Sequence, residues 1–550
     1  MPLSSRYMPL FLLLFITLLA LITRLINFSH TTWAYDQARD AFNALEIFGK
    51  DPIKLIGPTT DIRGLFHGSL YWYIIAPFYV VSRGDPLFPK LALVLLHLIN
   101  IPLIYFLAKE ITGKKEIGLF AAFILAMSFD SIQYARWMSN PTLAVMTVAM
   151  FFYGLWRVLH KKPYGLGIMY CMWAISIQFQ FFLVYLGVFM LVGGWRRSID
   201  GWKGRSVGWW RRKVLRSRGN VILFLLGSLF LLPFFISEIK FGFQGTQSLL
   251  GFFLGHAQES APFAQKVDFY INSLVKNVFY SVAGASQGFA RTALGTLVIY
   301  TLYTAWKYPP TRFAKLFLLM WFLSPVLIYP IQKNGSYFLN IGNSYPLITL
   351  FALTIFEITE PVGKKYQNMI IGICALVIAF FNMQLINTYS WEGERLFSVQ
   401  KAVDLQTEKK VIDWIYADSN GKVFAVNTVT NPLFINTTWA YLFEHYAQPK
   451  YGRKPFWAGE PIDARHPGWD IPFNPTGFDP GNTLYLIIEP IPGIPDEYIQ
   501  AYSLFEDTRS VLVRKIPFGT FIVEKRTIIK PESFSRNAVF ELTQKREFID

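Results

Sequence analysis

Apolar runs of about bilayer length, separated by short basic segments, dominate the first two-thirds of the chain. A helix needs about 20 apolar residues to cross the hydrocarbon core. On that ruler the pattern predicts spans at 8–26, 88–108, 117–132, 141–159, 164–180, 181–195, 219–236, 286–306, 313–331, 343–358 and 367–388, about eleven in all. Segment 68–83 is also apolar, but it is short and rich in Tyr, Trp and Pro. From residue 389 the pattern turns polar. Ser398 to Ala417 has helical spacing, and Val423–Val426, Leu484–Ile488, Val511–Val513 and Thr520–Val523 read as strands. Pro, Gly and Asn cluster between 448 and 482, which predicts an irregular stretch. The expected organisation is a helical membrane domain over 1–388 and a small α/β domain over 389–550.

Composition agrees with that division. The 550 residues are 53% hydrophobic and 16% charged, against about 25% charged in soluble domains. Arg6 and the apolar run Met8–Ile22 have no small-residue cleavage pattern after them, so the first span reads as an uncleaved signal anchor. The net charge of +16 sits in short loops between spans, where topology explains it, and does not imply a nucleic-acid partner. Cys171 and Cys374 both fall inside predicted spans, so no disulfide framework or CxxC metal site is expected.

The same charges orient the chain. Lys109, Lys114 and Lys115 mark one cytoplasmic loop, and Arg157, Lys161 and Lys162 another. Arg196 to Arg218, Lys307 to Lys315, and Lys364 with Lys365 mark three more. With Arg6 also inside, the count closes only if 68–83 does not cross. That segment is then a juxtamembrane or re-entrant element. The N-terminus is cytoplasmic and the C-terminal domain extracytoplasmic, in a multi-pass protein of the cell membrane. The outer parts are the loop 27–87, the turn 130–140, the loop 237–285, the short loop 332–342 and everything after about residue 389. The two longest loops are placed to face each other across a cavity.

One outer stretch carries unusual charge, Trp33-Ala34-Tyr35-Asp36-Gln37-Ala38-Arg39-Asp40, directly after the first span. On a helix starting near Asp36, the residues Asp36, Arg39, Asp40 and Asn43 share one face, with Ala38, Ala41, Phe42 and Leu45 opposite. Such a helix can lie along the interface. The plain alternative is a capped helix end, with Asp36 as N-cap, Arg39 paired to it and Asp40 solvated. The loop then continues through Gly57-Pro58, Asp61, Arg63 and His67 into Tyr71-Trp72-Tyr73. A mere connection needs neither that length nor that charge.

At these residues the chain resembles the GT-C membrane glycosyltransferases that use polyprenyl-phosphate sugars, among them the protein O-mannosyltransferases and the lipid A aminoarabinose transferases. Asp36-Gln37-Ala38-Arg39 matches the acid, and the following Arg, that this family carries after its first span; Gln37 stands where a Glu is usual. Phe66-His67-Gly68-Ser69-Leu70-Tyr71-Trp72-Tyr73 is similar to the family's entry into an aromatic segment, without its prolines, and His67 is the nearest match to a basic residue before it. Tyr134-Ala135-Arg136-Trp137-Met138-Ser139-Asn140-Pro141 resembles a third short motif. The likeness is clearest over 1–200 and absent from the C-terminal region.

The resemblance implies a sugar transfer from a polyprenyl-phosphate donor to an extracytoplasmic acceptor (protein, lipid or glycan), with inversion. Asp36 would be the general base. A cation would stabilise the leaving phosphate, and the outer-side candidates are Arg39, Arg63, His67, Arg136 and Lys333, with Arg39 first for its planar fork. Asp40, Asn140, Glu238 and Tyr337 are candidate cavity-lining residues; Glu238 with Lys240 reads equally as an interfacial ion pair, and Tyr337 as part of an aromatic belt. Asp130 and Gln133 read as ordinary helix-end residues. The outer loops hold no Asp-X-Asp triplet, so no metal or other cofactor is expected beside the lipid-linked donor. A transporter or lipid flippase shares the spans, but its ionisable groups belong near the midplane. Here they cluster at helix ends. A third reading is a membrane-anchored binding protein whose C-terminal domain does the work.

Overall fold

A computed structural model of the chain describes residues 7–191, 217–254, 262–329, 337–397, 403–433, 435–459, 471–474, 479, 482–490 and 496–534. The first span is α1 (Met8–Leu25), and Ile26 turns the chain to an extended conformation at its end. A short link leads into the amphipathic α2 (Tyr35–Glu46), and a loop of irregular structure leads on to α3 (Leu70–Val81). Twelve residues in α3 rise about 18 Å, short of a hydrocarbon core of about 30 Å. Tyr71, Trp72, Ile75, Ala76 and Tyr79 bury one side of it.

The next crossing, Leu87–Thr112, is stepped: α4 (Leu87–His97) and α5 (Asn100–Thr112) meet at a turn. The apolar helix pair after it is sharply bent, as in a broken span or a re-entrant loop. The helices α6 (Lys115–Met127) and α7 (Phe129–Arg136) meet at Ser128 with a bend of 60°. A break deprives backbone groups of their helical partners, and neighbouring helices supply replacements. Thr23 and Arg24 of α1 donate to the Ala126 carbonyl at 3.2 and 3.1 Å. Asn382 accepts from the Phe129 N–H at 2.8 Å, and the Ser128 hydroxyl accepts from the Ser131 N–H.

The helices α8 (Ala144–Leu159) and α9 (Gly165–Phe179) follow, and then Arg218–Lys240, Gln287–Lys307, Pro309–Leu323, Ser344–Thr359 and Lys364–Tyr389. Among the described residues six helices have the length and apolarity of a full crossing, or seven with the bent pair. The other expected spans are apolar helices too short or too mixed for that measure, such as Gly165–Phe179 and Phe181–Leu191. The helices Arg218–Lys240 and Lys364–Tyr389 expose Leu225, Phe235, Leu376 and Phe380, as lipid-facing surfaces do. The protein is a multi-pass membrane protein. The basic stretch expected between 196 and 218 lies almost entirely outside the described residues.

Segment 237–285, expected as a loop, contains two helices, Gln244–Phe253 and Phe263–Ser281. The second buries Leu274, Val275 and Val278 and leaves Asp268 and Lys276 exposed. It is an amphipathic helix whose polar face lowers its hydropathy.

Beyond residue 403 a five-stranded sheet runs in the order β2-β1-β3-β5-β4. Its strands are β1 (Phe424–Val429), β2 (Phe456–Trp457), β3 (Thr483–Ile488), β4 (Ser510–Phe518) and β5 (Phe521–Ile528). The pairs with β1 are parallel and those with β5 antiparallel. Asp404 caps the helix Leu405–Ser419 by accepting from the Thr407 N–H. β2 lies inside the stretch expected to be irregular, where pairing with β1 orders it. A short helix, Thr437–Leu442, packs against α2.

Candidate functional site

Gln37 seats α2. Its amide oxygen accepts from the Ala34 N–H at 3.2 Å, and its amide nitrogen donates to the Met138 carbonyl at 3.1 Å. This closes the helix N-terminus and ties it to the turn after α7. On the face predicted from the spacing, Arg39 lies between two carboxylates of unlike exposure. Its Nη1 donates to Asp36 Oδ1 at 2.7 Å; its Nε and Nη2 both donate to Asp40 Oδ1, at 3.0 and 2.9 Å. The Asp36 side chain is 61% exposed, and that of Asp40 only 2%.

Asp40 therefore is not the solvated residue of the plain reading. Trp72 of α3 donates its indole N–H to Asp40 Oδ1 at 2.9 Å, while Oδ2 is buried without a hydrogen-bond partner. Burial raises the Asp40 carboxyl to about 6, against the lowering pull of Arg39. Burial alone would lower the Arg39 guanidinium, but Asp40 and Asp36 raise it on balance. Nearby, burial and then the Asp36 charge raise Asp61.

The other expected cations divide. Arg63 is exposed and makes no ion pair among the described residues. His67 is not a cation. It is buried, its Nδ1 accepts from the Phe181 N–H at 3.0 Å, and burial followed by the Arg39 charge lowers it to about 3. The imidazole is neutral and holds α3's entry against the chain after α9. Arg136 is turned inward: Nη1 donates to the Ile26 carbonyl, and Nη2 to those of Asn27 and His30, at 2.7, 3.0 and 2.8 Å. It is fully buried and offers no edge to a phosphate. Lys333 lies outside the described residues.

Three further expectations are placed elsewhere. Asn140 is buried and donates to the Phe179 carbonyl, joining α8's start to α9's end. Glu238 caps the next helix by accepting from the Gly245 and Thr246 N–H groups, both at 3.0 Å. Tyr337 donates to Asp130 Oδ1 at 2.7 Å, and Ser344 to Oδ2. Asp130 is thus the acceptor of a buried network rather than an ordinary helix end. Tyr337 also lines a cavity of about 740 Å³ with Asp268, Asn272, Lys276 and Gln287, and no α2 residue borders it among those described. Among the described residues no group of three His, Cys, Asp or Glu is arranged to hold a metal ion.

The architecture has solved counterparts. The chain superposes on ArnT from Cupriavidus metallidurans bound to undecaprenyl phosphate with a TM-score of 0.55, over 93% of this chain and 97% of that one, at 10% identity. The apo state of that protein gives a TM-score of 0.51 at 11% identity, with the same coverage. The chain has the GT-C fold. Residues 67–203 also match the family model of dolichyl-phosphate-mannose-protein mannosyltransferase. That match begins at His67, so it covers the GT-C helices α3 to α9 and stops short of α2. Comparison with curated protein sequences gives no match. Trp72 reaches Asp40 from 32 residues away, and Glu394 reaches Thr31 and Thr32 from more than 360; neither pairing has a local signal in the sequence.

Proposed function

We propose that the protein is an integral-membrane glycosyltransferase that moves a sugar from a polyprenyl-phosphate donor to an extracytoplasmic acceptor. The observation that carries this reading is the unequal pair of carboxylates on Arg39. Asp36 is open to an incoming group, while Asp40 anchors the guanidinium from inside. The fold, the matched family segment and the undecaprenyl phosphate in the ArnT structure support the substrate class.

In this reaction Asp36 takes the proton of the acceptor hydroxyl or amine. The freed electron pair forms a bond to the anomeric carbon from the side opposite the phosphate. The carbon–oxygen bond to the phosphate breaks, and its electrons stay on the departing lipid phosphate, so the centre inverts. Of the five N–H groups of Arg39, three are taken by Asp36 and Asp40. The remaining two, with Arg63, stabilise charge building on the phosphate. His67 and Arg136 have no part in that charge. The α2 end of the bundle is extracytoplasmic, in keeping with the basic loops at the other end.

Asp36→Asn should fold like the wild type in detergent but lose about 100-fold or more in kcat for transfer from a polyprenyl-phosphate sugar, the usual scale for a general base. Wild-type turnover in that variant would sink the assignment.

A further inference from the structure

The link between α1 and α2, residues 26–34, has little regular structure, yet its backbone is gripped on every side. Lys90 of α4 donates to the carbonyls of Phe28 and His30 at 2.9 and 3.1 Å. Arg136 holds those of Ile26, Asn27 and His30. Two buried cations so close together need counter-charge, and it comes from far along the chain. Glu394 lies 3.2 Å from Lys90 Nζ and 3.5 Å from Arg136 Nε, and all three side chains are essentially inaccessible. The other carboxylate oxygen accepts from the Thr31 hydroxyl at 3.0 Å and the Thr32 N–H at 2.8 Å. The Glu394 N–H donates back to the Thr32 hydroxyl at 3.0 Å.

Two neighbours reinforce the contact. Gly393 has φ +76°, and a Cβ there would stand 2.6 Å from the Thr32 nitrogen, so the chain can approach this closely only as glycine. Asp404 accepts from the Thr31 N–H and meets His30 Nδ1, both at 3.1 Å. Farther on, Tyr441 backs the apolar side of α2, its ring 5.0 Å from Phe42 and 5.1 Å from Trp33.

We propose that Glu394 is a positioning residue: by neutralising Lys90 and Arg136 and binding Thr31 and Thr32, it fixes the link that aims α2, and so Asp36. The C-terminal region thereby completes the site from behind and is not only an appendage for recognising acceptor. The catalytic importance of this aim rests on the reading of Asp36 as base; the fixing of α2 does not.

The test uses the full-length protein in lipid nanodiscs, with Cys171 and Cys374 replaced by serine. Spin labels go on cysteines at Lys50, just beyond α2, and at Lys115, at the start of α6. Glu394→Gln should broaden the distance distribution between the labels and lower kcat more than donor KM, while Lys450→Ala on the C-terminal surface should leave both unchanged. Should Glu394→Gln fail to fold, Thr31→Val with Thr32→Val removes the same hydroxyl contacts without stranding a charge, and the same broadening is expected. A distribution as narrow as wild type in a folded variant overturns the proposal, whatever the activity. Broadening with transfer intact upholds the positioning of α2 and counts instead against Asp36 as the base.

Discussion

In the proposed site, Arg39 couples Asp36 to Asp40 only while Asp40 is ionised. Its carboxyl is raised by burial to about 6 from an ordinary 3.8. The folded protein therefore holds this proton more tightly than the unfolded chain, and the group adds stability as pH falls from about 6 towards 3.8. Its effect on activity runs the other way: once protonated, Asp40 loosens its hold on Arg39. Expected is a fall in kcat/KM as pH drops through about 6, with no matching fall in melting temperature from this group. In Asp40→Asn the fall near that pH should vanish, at a lower overall rate. An unchanged profile in the variant would remove Asp40 from the explanation. The shared face of Asp36, Arg39 and Asp40 was legible from i, i+3, i+4 spacing alone. Which acid is buried was not, because Trp72 does the burying from 32 residues away. The partners of His67 and Arg136 are distant backbone groups as well, which residue type and spacing do not show.

At the scale of elements, apolar run length located nearly every helix of the bundle, and alternation located four of the five strands. The helix Phe263–Ser281 escaped because its polar face dilutes the hydropathy on which span recognition depends. The helix Gln244–Phe253 has a different dependence. Its first-turn N–H groups are closed by Glu238 from the end of the preceding span. Glu238→Ala should cost about 1 kcal/mol of local stability and speed amide exchange over 244–250 roughly fivefold. Glu238→Gln should recover part of the protection, because an amide oxygen can still accept. Exchange unchanged in the alanine variant would show that packing alone holds this helix.

For the whole molecule, the proposed orientation puts α2 and the C-terminal sheet outside the cell and the start of α6 inside. In a background free of Cys171 and Cys374, a cysteine at Lys50 should react with an impermeant thiol reagent in intact cells, and one at Lys115 only after permeabilisation. The reverse pattern would invert the topology and with it the compartment of the acceptor. Charge in short loops is what predicts this arrangement. The contact between Glu394 and Thr32 was not readable, since the partners stand 362 residues apart and neither belongs to a motif. The broken helix at Ser128 bears on how such a molecule is built. A segment that surrenders carbonyls within a bilayer has no water to satisfy them, and its donors, Thr23 and Arg24, sit on α1. In vectorial synthesis α1 leaves the ribosome before α6 and α7, so the order of insertion supplies the donors before the break that needs them.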